Sequence, residues 1–82
     1  FVYHLNGTAG LTAVAISLPE YATQFLIYNT HATNVLYVSL DSGVNWFNVP
    51  ALSTLGMDTC AVKNVSLKAN GATTPYQILY NY

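Results

Sequence analysis

The sequence predicts an all-β chain, a small antiparallel β-sandwich or jelly-roll-like barrel of about seven strands. Three observations carry that expectation. β-Branched and aromatic residues recur in runs of roughly five to eight. Clusters of Gly, Pro, Asn and Thr interrupt them about every 8–12 residues. No segment holds apolar residues at the i, i+3, i+4, i+7 spacing of a capped amphipathic helix. With 82 residues, the chain has room for one small core. A domain of that size buries only about 60% of its unfolded surface, so partners can usefully supply the rest.

Residues 1–10 carry Asn6-Gly7 and Gly10 and read as an extended N-terminal arm ending in a turn. Residues 11–82 then form the single sandwich domain. Leu11 to Leu18 sets Val14, Ile16 and Leu18 against small and polar residues, a strand broken by Pro19-Glu20. Gln24 to Thr30 is apolar on both faces at Phe25, Leu26, Ile27 and Tyr28, which suits a central strand. His31 to Asn34 is a turn. Val35–Leu40 and Asn45–Val49 are the arms of a hairpin, closed by Pro50 and a loop over Ala51–Gly56. Met57 to Val62 reads as a strand. Val65, Leu67 and Ala69 alternate with Ser66 and Lys68 in another, with the lysine outward. Asn70 to Pro75 is a turn, and Tyr76 to Tyr82 closes the chain with Ile78, Tyr80 and Tyr82 on one face.

The hairpin has a specified tip. Ser39-Leu40-Asp41-Ser42-Gly43-Val44-Asn45-Trp46 reads S-x-D-x-G-x-x-W. Gly43 supplies the positive φ of a tight turn, and Asp41 can accept backbone N–H bonds within the turn. Trp46 can fold back over the hairpin as an apolar plug. The pattern resembles the Asp-box of sialidase propellers and several unrelated β folds, where it is a structural device and not a catalytic one. A propeller itself needs at least four four-stranded blades, more than this chain can hold.

Charge is scarce. Only Glu20, Asp41, Asp58, Lys63 and Lys68 are ionised at neutral pH, where an ordinary domain of this length carries roughly 20 charges. Such a surface suits a protein packed against neighbours, and a homo-oligomer is expected. Two lysines and no arginine cannot neutralise several phosphates, so nucleic acid is excluded as a partner. No apolar run reaches the ~18 residues of a membrane-spanning helix. Cys60 is the only cysteine, which precludes an internal disulfide, and its apolar flanks fit a buried thiol.

The chemistry-bearing residues do not form a catalytic or metal-binding pattern. Glycoside hydrolysis needs two carboxylates facing one bond, and nothing brings two of the three acids together. His4, His31 and Cys60 lack zinc-ligand spacing. The Asp41-x-Gly43-x-Asn45 run lacks the additional carboxylates and closing Glu of a calcium loop. Asn6-Gly7-Thr8 and Asn64-Val65-Ser66 match the short N-glycosylation pattern. No catalytic residue, cofactor or metal is expected. Trp46 with Tyr37, or Tyr76, Tyr80 and Tyr82, could stack on a sugar. Trp46 can equally be the hairpin plug with the tyrosines packed at core edges, and the same residue types favour protein interfaces; interface is read first, core packing second and carbohydrate third.

From about Ala22 onward the chain resembles small structural proteins of tailed bacteriophages. The residues concerned are Phe25 to Thr30, the Val38–Trp46 hairpin, the loop at Pro50 and the closing strand Thr74 to Leu79. The resemblance implies a non-enzymatic virion component on the particle surface: a capsid decoration or cement subunit, or a fibre-type module. Its implied partners are the major capsid protein or other virion subunits. Expected contact residues are Phe1, Tyr3 and His4 in the arm and Tyr76, Tyr80 and Tyr82 near the C-terminus. The alternative is a carbohydrate-binding β-sandwich of a fibre or secreted protein.

Overall fold

The computed structural model describes residues 1–82. It contains eight strands and no helix: β1 (Tyr3–Ala9), β2 (Val14–Ala22), β3 (Gln24–Asn29), β4 (Leu36–Ser39), β5 (Phe47–Val49), β6 (Thr54–Met57), β7 (Val62–Ala69) and β8 (Thr74–Asn81). They form two antiparallel four-stranded sheets, ordered β1-β8-β3-β6 and β2-β7-β4-β5. The pairing is nested: β1 with β8, β2 with β7, β3 with β6 and β4 with β5. A hairpin-tipped ribbon wound across two sheets gives this order.

Alternation decides what each sheet buries. In the first sheet, Phe25, Ile27, Tyr76, Ile78, Tyr80 and Ala9 point inward. In the second, Leu18, Leu36, Val38, Val49, Val65, Leu67 and Ala69 meet them. Asn29, alongside Ser39 and Thr74, is one of three buried polar exceptions. Its Nδ2 donates to the Asn34 carbonyl at 2.8 Å and to the Val49 carbonyl at 3.0 Å. Its Oδ1 accepts the His31 N–H at 3.0 Å. One side chain from β3 thereby holds the following turn and reaches β5 in the opposite sheet.

Four expectations are corrected. Residues 3–9 are not a free arm but strand β1, in unbroken register with β8 from Tyr3↔Tyr80 to Ala9↔Thr74. The chain preceding β1 is also tied down, since the Val2 N–H donates to Asn81 Oδ1 at 2.6 Å. Pro19-Glu20 does not end the second strand. β2 is an edge strand, where the missing N–H is tolerated, and a register shift between Ser17 and Ala22 absorbs the irregularity. The expected loop over Ala51–Gly56 contains β6 from Thr54, while residues 58–61 form a loop where a strand was expected.

Candidate functional site

The first two strands open one side of the sandwich. β1 and β2 are edge strands of different sheets, joined by the short connection over residues 10–13. The register defines which of their side chains face inward. Tyr3, Leu5 and Gly7 pair with Tyr80, Ile78 and Tyr76, all core residues, and so share their face. Val14 and Ile16 likewise pair with the core residues Leu67 and Val65. Yet Tyr3, Leu5 and Val14 retain 39%, 36% and 53% of their surface. The sheets therefore part along this side, leaving a seam of inward-facing apolar residues open to water. Of the eleven exposed large hydrophobic residues, seven belong to the seam or its flanks: Phe1, Val2, Tyr3, Leu5, Leu11, Val14 and Tyr82. That concentration, rather than single exposed apolar side chains, marks an interaction surface.

Aromatic stacking sets one end of the seam. The Tyr3 ring lies against Tyr82 at 4.5 Å between centroids and 11° between planes. It also lies 5.5 Å from Tyr80. Pairs at such separations add about 0.5–1.5 kcal/mol beyond area burial, so Tyr3 is held in place before any partner arrives. Phe1, Tyr3, His4 and Tyr82 are surface residues on or beside β1. Tyr76 and Tyr80 are not available for contact, because both are buried core residues of β8 at 8% and 4% exposure. Leu5, Val14 and Val2 belong to the surface and were missed by sequence reasoning. Their alternation marks Leu5 and Val14 as core-facing, and only the strand order reveals that this core position is open.

The Ser39–Trp46 hairpin is a closed hydrogen-bond unit. Asp41 Oδ1 accepts the Asn45 N–H at 2.8 Å and the Ser39 hydroxyl at 2.7 Å. Asp41 Oδ2 accepts the Asn45 side-chain amide at 2.6 Å. Ser39 Oγ in turn accepts the Gly43 N–H at 2.8 Å. Led by the Asn45 backbone bond, these donors lower the Asp41 carboxyl to about 2. Its oxygens are committed within the turn. Trp46 is half-buried, against Gly43 on one side. The Lys68 ammonium stands 4.4 Å from the indole centroid and 5.9 Å from the Tyr37 ring. Lysine thus occupies the space over the Trp46–Tyr37 pair.

A cleft of about 390 Å³ opens at the end of the sandwich that carries the hairpin tip, with Tyr21, Leu40, Met57, Cys60 and Val62 among its apolar lining and Lys63 among its polar one. The Cys60 thiol is raised by partial burial and points at the Ala22 carbonyl, 3.4 Å away. That is the setting of a thiol rather than a reactive thiolate. His31 Nδ1 accepts the Thr33 and Asn34 N–H groups at 3.0 and 2.8 Å, closing its own turn. No group of three or more His, Cys, Asp and Glu side chains gathers in one place.

Comparisons with protein-family models, curated proteins and solved structures find no match to this chain.

Proposed function

We propose that this chain is a non-enzymatic structural subunit of a virion, of the capsid decoration or cement type, working as part of a homo-oligomer against other virion subunits. The single observation that carries this reading is the open β1–β2 seam, where core-facing Tyr3, Leu5 and Val14 are left exposed. An isolated 82-residue domain gains nothing from leaving that surface in water, whereas an assembly subunit gains contact area. Two further features support it. Five charges across 4597 Å² of surface leave large areas with little cost of desolvation on docking. The nested strand order favours the jelly-roll form of the sandwich, an architecture shared by viral capsid proteins and lectins. Many modest contacts repeated by the symmetry of a shell would then act through avidity.

The carbohydrate-binding reading gains less support, because Lys68 covers the Trp46–Tyr37 pair that would form the stacking platform.

The test is mass spectrometry and immunogold labelling of purified particles from the system that encodes the chain. Detection in a copy number matching the shell symmetry, with label on the particle surface, is the expected result. A chain present in the producing cells but absent from purified particles would overturn the proposal. A Leu5→Lys variant, which places a charge in the seam, should lower particle occupancy at least tenfold while remaining folded. Deleting residues 1–10 is no substitute, since it strips β8 of its neighbour and uncovers Tyr76, Ile78 and Tyr80.

A further inference from the structure

We propose that the seam is first filled by a second copy of this chain, with β1 pairing antiparallel to the partner's β1 about a two-fold axis at Asn6. The proposal rests on the assembly reading above and names the occupant of its surface.

The four sheet edges are not equivalent. β2 carries Pro19, the charge of Glu20 and a register shift, which are devices that discourage strand addition. β5 has three residues and β6 four. β1 has seven residues without proline or charge, in unbroken register with β8. Its outer edge is the one long, regular row of backbone donors and acceptors left open to strand addition.

The sequence of β1 is complementary to itself when reversed. Asn6 is the midpoint of Tyr3–Ala9, so a two-fold axis there sets Asn6 opposite the partner's Asn6. On the inward face, Leu5 then lies beside the partner's Gly7, and Tyr3 beside the partner's Ala9. On the outer face, His4 meets the partner's Thr8. The register ends at Ala9, where the chain turns toward the second sheet and the Gly10 carbonyl accepts the Ala69 N–H of β7 at 2.8 Å. On the inward face the large side chains meet glycine or alanine, and on neither face do like charges oppose each other. A one-residue slip would instead turn the inward face of one copy toward the outer face of the other.

The size of the contact is also appropriate. Seven residues extend about 24 Å, and a strip of that length about 20 Å across covers roughly 500 Å² per subunit. A standard interface takes about 800 Å² per partner. The expected dimer therefore forms on concentration and dissociates on dilution. It merges two sheets into one of eight strands and shields Tyr3 and Leu5 of both copies.

The test is register-specific cross-linking in a Cys60→Ser background, with light scattering of the unaltered protein. Residues directly opposite in an antiparallel pair have Cα atoms about 4.5–5.5 Å apart, within disulfide range. Asn6→Cys should oxidise to a covalent dimer. His4→Cys and Thr8→Cys, mixed, should cross-link to each other at least tenfold more than either does to itself. Light scattering should show a mass doubling with concentration, abolished by Leu5→Lys. A monomer at every concentration, or cross-links without preference for the 6–6 and 4–8 pairs, would overturn the dimer. If the dimer is absent but Leu5→Lys still lowers particle occupancy, the seam binds the shell and only this inference fails. If the dimer forms in register but no particle contains the chain, the pairing stands and the virion reading fails.

Discussion

The Tyr76 ring lies across the bare Cα of Gly7, so that a Cβ built at Gly7 would come within 2.5 Å of the Tyr76 hydroxyl and 2.7 Å of its Cζ. This glycine sits inside a strand because a neighbouring ring needs its space. Gly7→Ala must push aside a side chain that is only 8% exposed. The expected cost is about 1–3 kcal/mol, as for other overpacked sites. Urea unfolding measures it. Tyr76→Leu, which shortens the intruding side chain, should reduce the penalty of Gly7→Ala in a double-mutant cycle; equal penalties in both backgrounds would mean that the close approach is not the cause.

The same pair explains what the sequence could and could not disclose. Asn6-Gly7 carries a turn signal, and it outweighed the weak β pattern of Tyr3 to Ala9. The ring that makes glycine necessary is 69 residues away in the chain and invisible to local reasoning. Alternation sets Ile78 and Tyr80 on one face, and the same period puts Tyr76 with them. It does not say that this face is the core, which is why Tyr76 and Tyr80 read from sequence as contact residues. β6 was missed because Thr54-Leu55-Gly56-Met57 offers only Leu55 and Met57 to the core. Pro19 was a misleading terminator because its tolerance depends on β2 being an edge strand. The seam was illegible for a related reason. Alternation says which way Leu5 and Val14 point, but only the order of strands says whether another strand covers them.

Asp41 makes acid stability a property of the hairpin. Donation by the Asn45 backbone, the Ser39 hydroxyl and the Asn45 side chain lowers its folded-state value from 3.8 to about 2. A depressed carboxyl favours the folded state when both states are ionised, and that contribution disappears as protons bind. It is present above about pH 4 and is lost as the pH falls through about 2. Asp41→Asn removes this titration. The unaltered protein should lose midpoint temperature between pH 4 and 2 more steeply than Asp41→Asn. Parallel curves for the two proteins would show that the turn does not stabilise the ionised form.

Trp46 tests whether the hairpin tip is needed for folding. Its ring is half-buried, beside Gly43 and under the Lys68 ammonium at 4.4 Å. A core plug of that size would cost about 3–5 kcal/mol on truncation. A half-exposed ring with one exposed cation contact, itself worth about 0.5–1 kcal/mol, should cost about 1–2 kcal/mol. Trp46→Ala should therefore remain folded with a lowered urea midpoint. Lys68→Met should recover part of that loss in Trp46→Ala, because the ammonium no longer has a ring to face. Failure of Trp46→Ala to fold would place the indole among the groups that hold the sheets together.

Asn29 is where the two sheets are tied by polar bonds. It is fully buried, and one amide serves the Asn34 carbonyl, the Val49 carbonyl and the His31 N–H. Asn29→Ala leaves those groups without their partner. At about 1–3 kcal/mol for each buried group left unsatisfied, with some reached by water near the turn, the expected loss is about 2–4 kcal/mol. For a domain of this length, total stability is on the order of 4–12 kcal/mol, so the variant should be close to unfolding at physiological temperature. Asn29→Asp separates hydrogen bonding from shape. It keeps the volume and the acceptor for His31 but turns both donors toward the carbonyls into acceptors. Ionisation is then opposed in the folded state and the carboxyl is raised, so the folded form of Asn29→Asp should gain stability as protons bind on acidification. Circular dichroism melts between pH 7 and 4 would show its deficit relative to the unaltered protein narrowing. A deficit independent of pH would mean that the loss arises from shape or strain, and that the two donated bonds are not what joins β3 to β5.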